Sequence, residues 1–156
     1  MDKRYNPTEV EEKWVDIWSK NVFFNKDAKN TFSQVIPPPN VTGTLHMGHS
    51  FQYAIMDFYT RYNHMSGKKS HWQVGTDHAG IATQLVVENN LSKKNISRLQ
   101  LGRDEFLNEV WKWKDSSEEK IQSQIKRLGS SVDWNKYRFT LDERFSKTVN
   151  LSLIHI

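Results

Sequence analysis

The chain contains no cysteine, which excludes disulfides, thiolate zinc sites and cysteine nucleophiles together. It has no apolar stretch approaching the roughly 18 residues that a membrane helix needs. Its N-terminal MDKRYNPTEVEEKW lacks the apolar centre of a secretory signal. A cytoplasmic protein with no use for a membrane is therefore expected. No run of Lys and Arg is long enough to act as a nucleic-acid-binding tail, and no repeat or low-complexity segment stands out. Apolar residues are also in short supply, at 37%, below the usual share for a free-standing domain. That suits an ordinary polar domain or a piece whose surface is covered by further chain.

The 156 residues are enough for one domain with a real core. Lys and Arg number 22 against 18 Asp and Glu, a formal charge of +4, and the pI is about 9.2. This mild excess is compatible with a polyanionic partner such as RNA or a nucleotide, and equally with a plain enzyme.

Along the chain, Asn6 is a capping residue, Pro7 suits a first helical position and Glu9 a first turn. Val10, Trp14, Ile17 and Trp18 then share one face, which predicts a helix to about Lys20. Lys26 to Thr31 reads as a polar loop. Phe32 to Ile36 reads as a short buried strand, stopped by Pro37-Pro38-Pro39, which offer no N–H to a ladder. A helix is expected from near Leu45, with Phe51, Ala54, Ile55, Phe58, Tyr59 and Tyr62 at core spacing. Ser70 to Val74 reads as a second strand, Gly75–Gly80 as a turn, and the next stretch as a helix to about Asn90. This order is a βαβ unit, implying an α/β fold with parallel pairing.

A long helix is expected from Arg103 to about Leu128. Phe106, Val110, Trp113, Ile121, Ile125 and Leu128 lie along one side, Trp111 on another, and Gly129 ends it. One more helix starts at Asp142 and runs to about Asn150. Ligands in parallel sheets sit off the carboxyl ends of the strands, so Pro37–Thr44 and Gly75–Gly80 are expected to face one site.

The segment PPPNVTGTLHMGH, Pro37 to His49, carries most of the chemistry. A proline-stiffened strand end leads through Gly43 into a helix N-terminus, whose unpaired N–H groups and positive dipole end attract an anion. His46 and His49, three residues apart, project from the same side of the first turn. Gly48 removes a side chain where a flat ligand could lie. These features suit a triphosphate, with imidazoles donating hydrogen bonds as charge shifts. Each also has a plain reading: a capping histidine, or a pair of metal ligands lacking an acidic third. The second loop, GTDHAGIATQ, places the Asp77 carboxylate beside a site already assigned to an anion. It suits a cationic group such as an amino acid's ammonium, or else a helix N-cap. Gly75 and Gly80 leave room for backbone to approach a substrate.

HMGH at His46–His49 resembles the histidine-X-glycine-histidine signature of the class I aminoacyl-tRNA synthetases. PPPNVTG before it and WQVGTDHAGIATQ (Trp72–Gln84) after it are similar to the valine-specific members, and RLGSSVDWNKYRFTLD (Arg127–Asp142) is a third similar block. The likeness covers roughly Tyr5 to Val149. It implies the first half of a Rossmann-like nucleotide-binding fold over 31–150, a parallel sheet with flanking helices, preceded by an N-terminal helix and loop over 1–30. It also implies valine–tRNA ligase chemistry: L-valine and ATP give valyl-adenylate, followed by transfer to tRNA(Val), with Mg²⁺ accompanying ATP and no tightly bound metal in this segment. By the same resemblance His46 and His49 are catalytic and hold the ATP phosphates, Gly48 lies under the adenine, and Thr44 borders the nucleotide. Pro38 and Asn40 line the amino-acid pocket, Asp77 holds the α-amino group, and Gly75, His78 and Gln84 are neighbours.

The family's second signature, a lysine-rich loop, is not among these residues. Nor are an editing domain, the second catalytic half or anticodon-binding helices. The closing LSLIHI does not continue the family pattern, and 151–156 is expected to be an atypical, truncated end. The expectation is an incomplete half-site, inactive alone, from an enzyme that is monomeric at full length. Two competing readings are a stand-alone module that binds ATP or RNA without catalysis, and a structural protein with an incidental HMGH. A nucleotidyltransferase of related fold would share the histidines but lack the flanking blocks.

Overall fold

The computed structural model describes residues 5–20 and 28–156. The expected loop at Lys26–Thr31 therefore lies partly outside the described residues. The elements in order are α1 (Pro7–Lys20), β1 (Thr31–Val35), α2 (Met47–Met65), β2 (Lys69–Gln73), β3 (Gly75–Thr76), α3 (Ile81–Ser92), α4 (Arg98–Arg127), β4 (Arg138–Phe139) and α5 (Glu143–His155). They fall into two compact units. One gathers the described residues up to Ile36 with His46–Val74 and Gln122–Lys136; the other gathers Pro37–Leu45, Gly75–Ile121 and Tyr137–Ile156.

In the first unit β1 and β2 pair in parallel, from Thr31 opposite Lys69 to Val35 opposite Gln73, with α2 as the connection. This is the expected βαβ unit. Ile36, Tyr53, Trp72, Val74, Ile125 and Val132 are buried in it. The strand β1 departs from expectation: Val35 is 71% exposed, and only Phe32 and Gln34 are half-covered. Among the described residues β2 is its one strand partner, and β1 buries a single face against α2.

Helix α2 reverses its expected polarity. Phe51, Ile55, Phe58, Tyr59 and Tyr62, spaced as a core stripe, are all exposed, and the buried residues are Tyr53, Thr60 and Asn63. The inward face is held by hydrogen bonds. Gln34 Nε2 donates to the Met56 carbonyl at 2.6 Å and to Thr60 Oγ1. The Ser131 N–H donates to Asp57 Oδ1 at 2.7 Å, and Arg61 donates to Asp57 and to the Gly129 carbonyl. A burial rule based on spacing alone cannot see partners 22 to 74 residues away. The α1 face meets this region too: Trp14 and Trp18 pack with ring centroids 5.7 Å apart, and Arg61 lies over Trp18 at 5.2 Å. Gly129, at φ 71°, turns the chain in the left-handed region, and a Cβ there would strike the Trp18 ring.

In the second unit Val87, Leu91 and Phe106 form a cluster joined by Ile96, Leu101, Val110 and Trp113. Helix α4 breaks at Gly102 (φ 76°, ψ 175°), so its long part starts at Arg103 as expected. Trp111 is exposed and edge-on to Phe139. The Gly75–Gly80 turn contains a strand that the sequence reading lacks: β3 pairs in parallel with β4, Gly75 opposite Arg138 and Thr76 opposite Phe139. Helix α5, capped by Asp142 Oδ1, which accepts from the Phe145 N–H at 2.9 Å, continues through LSLIH to His155. Among the described residues no helix is long and apolar enough to cross a membrane.

Candidate active site

In the first unit His46 is the N-cap of α2, with extended backbone. Its Nδ1 accepts from the Gly48 N–H at 3.1 Å, and its own N–H donates to His49 Nδ1 at 3.2 Å. This is a capping box built from two imidazoles. Both Nδ1 atoms accept, so in the neutral rings both protons sit on Nε2. The cap thus sets one tautomer for both rings and leaves two Nε2–H donors. The ring centroids lie 3.9 Å apart. Burial first, then the neighbouring His46 charge, lower the His49 pKa below the ordinary 6.5, which favours the neutral donor. Tyr53, its centroid 5.9 Å from His49, is pushed up to about 12 by burial and stays protonated.

The capping and functional readings of His46 are therefore compatible: the nitrogen that caps is not the one that can donate to a ligand. Gly48 gains a second reason. A Cβ there would lie 2.9 Å from His46 Cε1, so the glycine makes room for the capping ring as well as for a ligand.

In the second unit the proline loop and Asp77 lie together. The Asp77 N–H donates to the Pro39 carbonyl at 2.8 Å, and the Val41 N–H donates to the Asp77 carbonyl at 2.9 Å, putting Asn40 in a parallel bridge with Asp77. Pro39 and Val41 are buried while Pro38, Asn40 and Thr44 are exposed. Two α4 side chains hold this loop: Trp113, expected only on the apolar side of the helix, donates from Nε1 to the Val41 carbonyl at 2.9 Å, and Ser117, given no role by the sequence, donates from Oγ to the Gly43 carbonyl at 3.1 Å.

Asp77 does not cap α3, whose N-cap is Gly80. Its Oδ1 accepts from the Ala79 N–H at 3.2 Å, while Ala79 sits at φ 52°, a conformation costing about 1 kcal/mol. His78 lies beside it, and half-buried Gln84 sits in the first turn of α3. Gly75 does not make room for a substrate as expected. A Cβ on it would strike the Arg138 carbonyl, so the close approach is to β4.

Below this loop Thr76 Oγ1 donates to Glu118 Oε1 at 3.0 Å, and the Tyr137 hydroxyl donates to the same oxygen. Lys114 binds Glu118 Oε2 at 2.7 Å. Burial pulls the Lys114 pKa down, but the hydrogen bond and charge of Glu118, then those of Asp115, outweigh it and raise the value overall. Among the described residues no group of three or more His, Asp or Glu side chains is placed to hold a metal.

The family model for class I tRNA synthetases (I, L, M and V) matches residues 11–156. The chain belongs to this family. It is 56% identical over 146 residues to a valine–tRNA ligase of Acinetobacter baylyi, covering 93% of this chain and 15% of that one. With the ligase of Francisella tularensis it shares 50% identity over 159 residues, covering 100% and 17%. The chain thus spans about a sixth of the length of the curated relatives it matches. Among solved structures, an Agrobacterium radiobacter LeuRS in a ternary complex with tRNA and LeuAMS superposes with a TM-score of 0.73 at 18% identity, covering 97% of this chain and 18% of that chain. The fold is that of a class I synthetase N-terminal domain, mixed helix and parallel strand.

Proposed function

We propose that the chain is the amino-acid-activating portion of a cytoplasmic, monomeric valine–tRNA ligase. A carboxylate oxygen of L-valine attacks the α-phosphorus of ATP. The bond to the bridging oxygen breaks, pyrophosphate leaves, and valyl-adenylate passes its acyl group to tRNA(Val). His46 and His49 donate Nε2–H bonds to phosphate oxygens, which gain charge as the bond breaks. Gly48 lies under the adenine and Thr44 borders the nucleotide. Asp77 receives the α-ammonium, with Pro38 and Asn40 beside the side chain. Mg²⁺ enters with ATP as part of the substrate.

The observation that carries this reading is the 56% identity to a valine–tRNA ligase over nearly the whole chain, and the two imidazoles fixed as donors agree with it. On this reading the chain alone binds but does not turn over. The test is a melting-temperature shift with a non-hydrolysable valyl-adenylate analogue, with the lysyl analogue as control. A ligand that binds only the folded form raises the midpoint by mass action. We expect the valyl compound alone to shift it. Equal shifts from both would refute valine selectivity, and none from either would refute a self-sufficient site.

A further inference from the structure

We propose that Thr140 is a positioning residue for substrate recognition: it fixes one oxygen of Asp77 so that the other meets the α-ammonium. The inference rests on the proposed role of Asp77 and adds the group that aims it.

The placement follows from the strands. With Gly75 opposite Arg138 and Thr76 opposite Phe139, the next pair in parallel register is Asp77 and Thr140, just past the carboxyl ends of β3 and β4. The Thr140 N–H continues the ladder, donating to the Thr76 carbonyl at 3.1 Å. Thr140 Oγ1 donates to Asp77 Oδ1 at 2.9 Å and accepts from the His78 N–H at 2.9 Å. It also meets His78 Nδ1 at 2.7 Å. A hydroxyl has one proton, and here it goes to Asp77, so His78 must donate from Nδ1. The threonine is then saturated, with one bond given and two received.

Asp77 Oδ1 is correspondingly occupied, by Thr140, by the Ala79 N–H and by His78 Nδ1 at 3.3 Å. Among the described residues every contact of this carboxylate falls on Oδ1. Its side chain remains 36% exposed, so Oδ2 is the oxygen offered to a cation. Thr140 lies 63 residues from Asp77, in a block to which no site role was otherwise given. Fixing a carboxylate before the ligand arrives lowers the ordering cost of binding. It acts on affinity for the ammonium and not on contacts elsewhere in the ligand.

The experiment compares two ligands by calorimetry on the 156-residue chain: the non-hydrolysable valyl-adenylate analogue and its counterpart lacking the α-amino group. The ratio of their affinities isolates the ammonium contact. Thr140→Val, which keeps the shape and removes the hydroxyl, should lower the ratio about tenfold while leaving affinity for the desamino compound unchanged. That unchanged affinity shows the fold is intact. Thr140→Ser should restore the ratio to within about threefold of the parent.

Ring ¹⁵N shifts give a ligand-free readout. His78 should carry its proton on Nδ1 in the parent and in Thr140→Ser, and hold it there less strongly in Thr140→Val, where Asp77 Oδ1 at 3.3 Å is the acceptor left to it. Should Thr140→Val keep the parent ratio while Asp77→Asn abolishes it, Thr140 has no positioning role although Asp77 does. A ratio preserved in Asp77→Asn would overturn the underlying reading itself, as would failure of the parent chain to bind either ligand.

Discussion

The His46–His49 turn and the Asp77 loop reach the same end, a polar group fixed before any ligand arrives, by opposite routes. In the first, the bonds that fix the rings span two and three residues, and the helix start assembles them as it forms. In the second, one local bond from the Ala79 N–H is joined by Thr140 bonds to the carboxylate and its neighbour that span 63 and 62 residues, and these depend on a two-residue strand pairing correctly. A site built locally survives changes elsewhere in the fold. One built by long-range pairing inherits every weakness of that pairing.

The largest expected effect follows from breaking the pairing. In Gly75→Ala the new Cβ meets the Arg138 carbonyl, which is backbone and cannot rotate away. The substitution should destabilise the protein by about 3 kcal/mol, read as a lower urea midpoint, and should also release the Asp77–Thr140 bond. A loss below about 0.5 kcal/mol would mean that β3 and β4 yield easily and that the Asp77 loop is held by other contacts.

The same contrast explains what the sequence could disclose. His46, Gly48 and His49 are legible because their geometry is a property of one helical turn. The long part of α4 is legible because Gly102 and Gly129 bracket a regular apolar spacing. The strands β3 and β4 are two residues each, too short for any alternation to register, so Gly75 read as spare room and Thr140 did not register at all. Helix α2 misled for a related reason. Its apolar stripe is real, but Gln34 and Ser131 supply hydrogen bonds to the opposite face, and those partners decide which side turns inward.

A smaller effect is expected from the other glycine. Gly48→Ala brings a Cβ to 2.9 Å from a side chain, the His46 ring, which can move. Displacing the ring forfeits an N-cap worth about 1 kcal/mol. Replacing glycine by alanine inside a helix returns about 0.5–1 kcal/mol. The two nearly cancel, so the urea midpoint should change little while the His46 ¹⁵N shifts report loss of the Nδ1 acceptor and its fixed tautomer. A drop comparable with that of Gly75→Ala would erase the contrast, because the histidine turn would then depend on the wider fold as heavily as the aspartate loop.

The smallest effect is a pH dependence confined to the histidine turn. Burial, and secondarily the His46 charge, depress the His49 pKa below 6.5. A depressed value means the unfolded chain takes up the proton first. The His49 contribution is therefore fully present above 6.5 and is lost as the pH falls from there through the lower folded value. Protonation also converts Nδ1 from acceptor to donor, which removes the bond from the His46 N–H and opposes the positive end of the helix dipole. Stability measured by urea titration should fall more steeply through this window in the parent than in His49→Ala. Parallel curves would show that His49 carries no such linkage, and that a cap assembled within one turn does not shift the imidazole it uses.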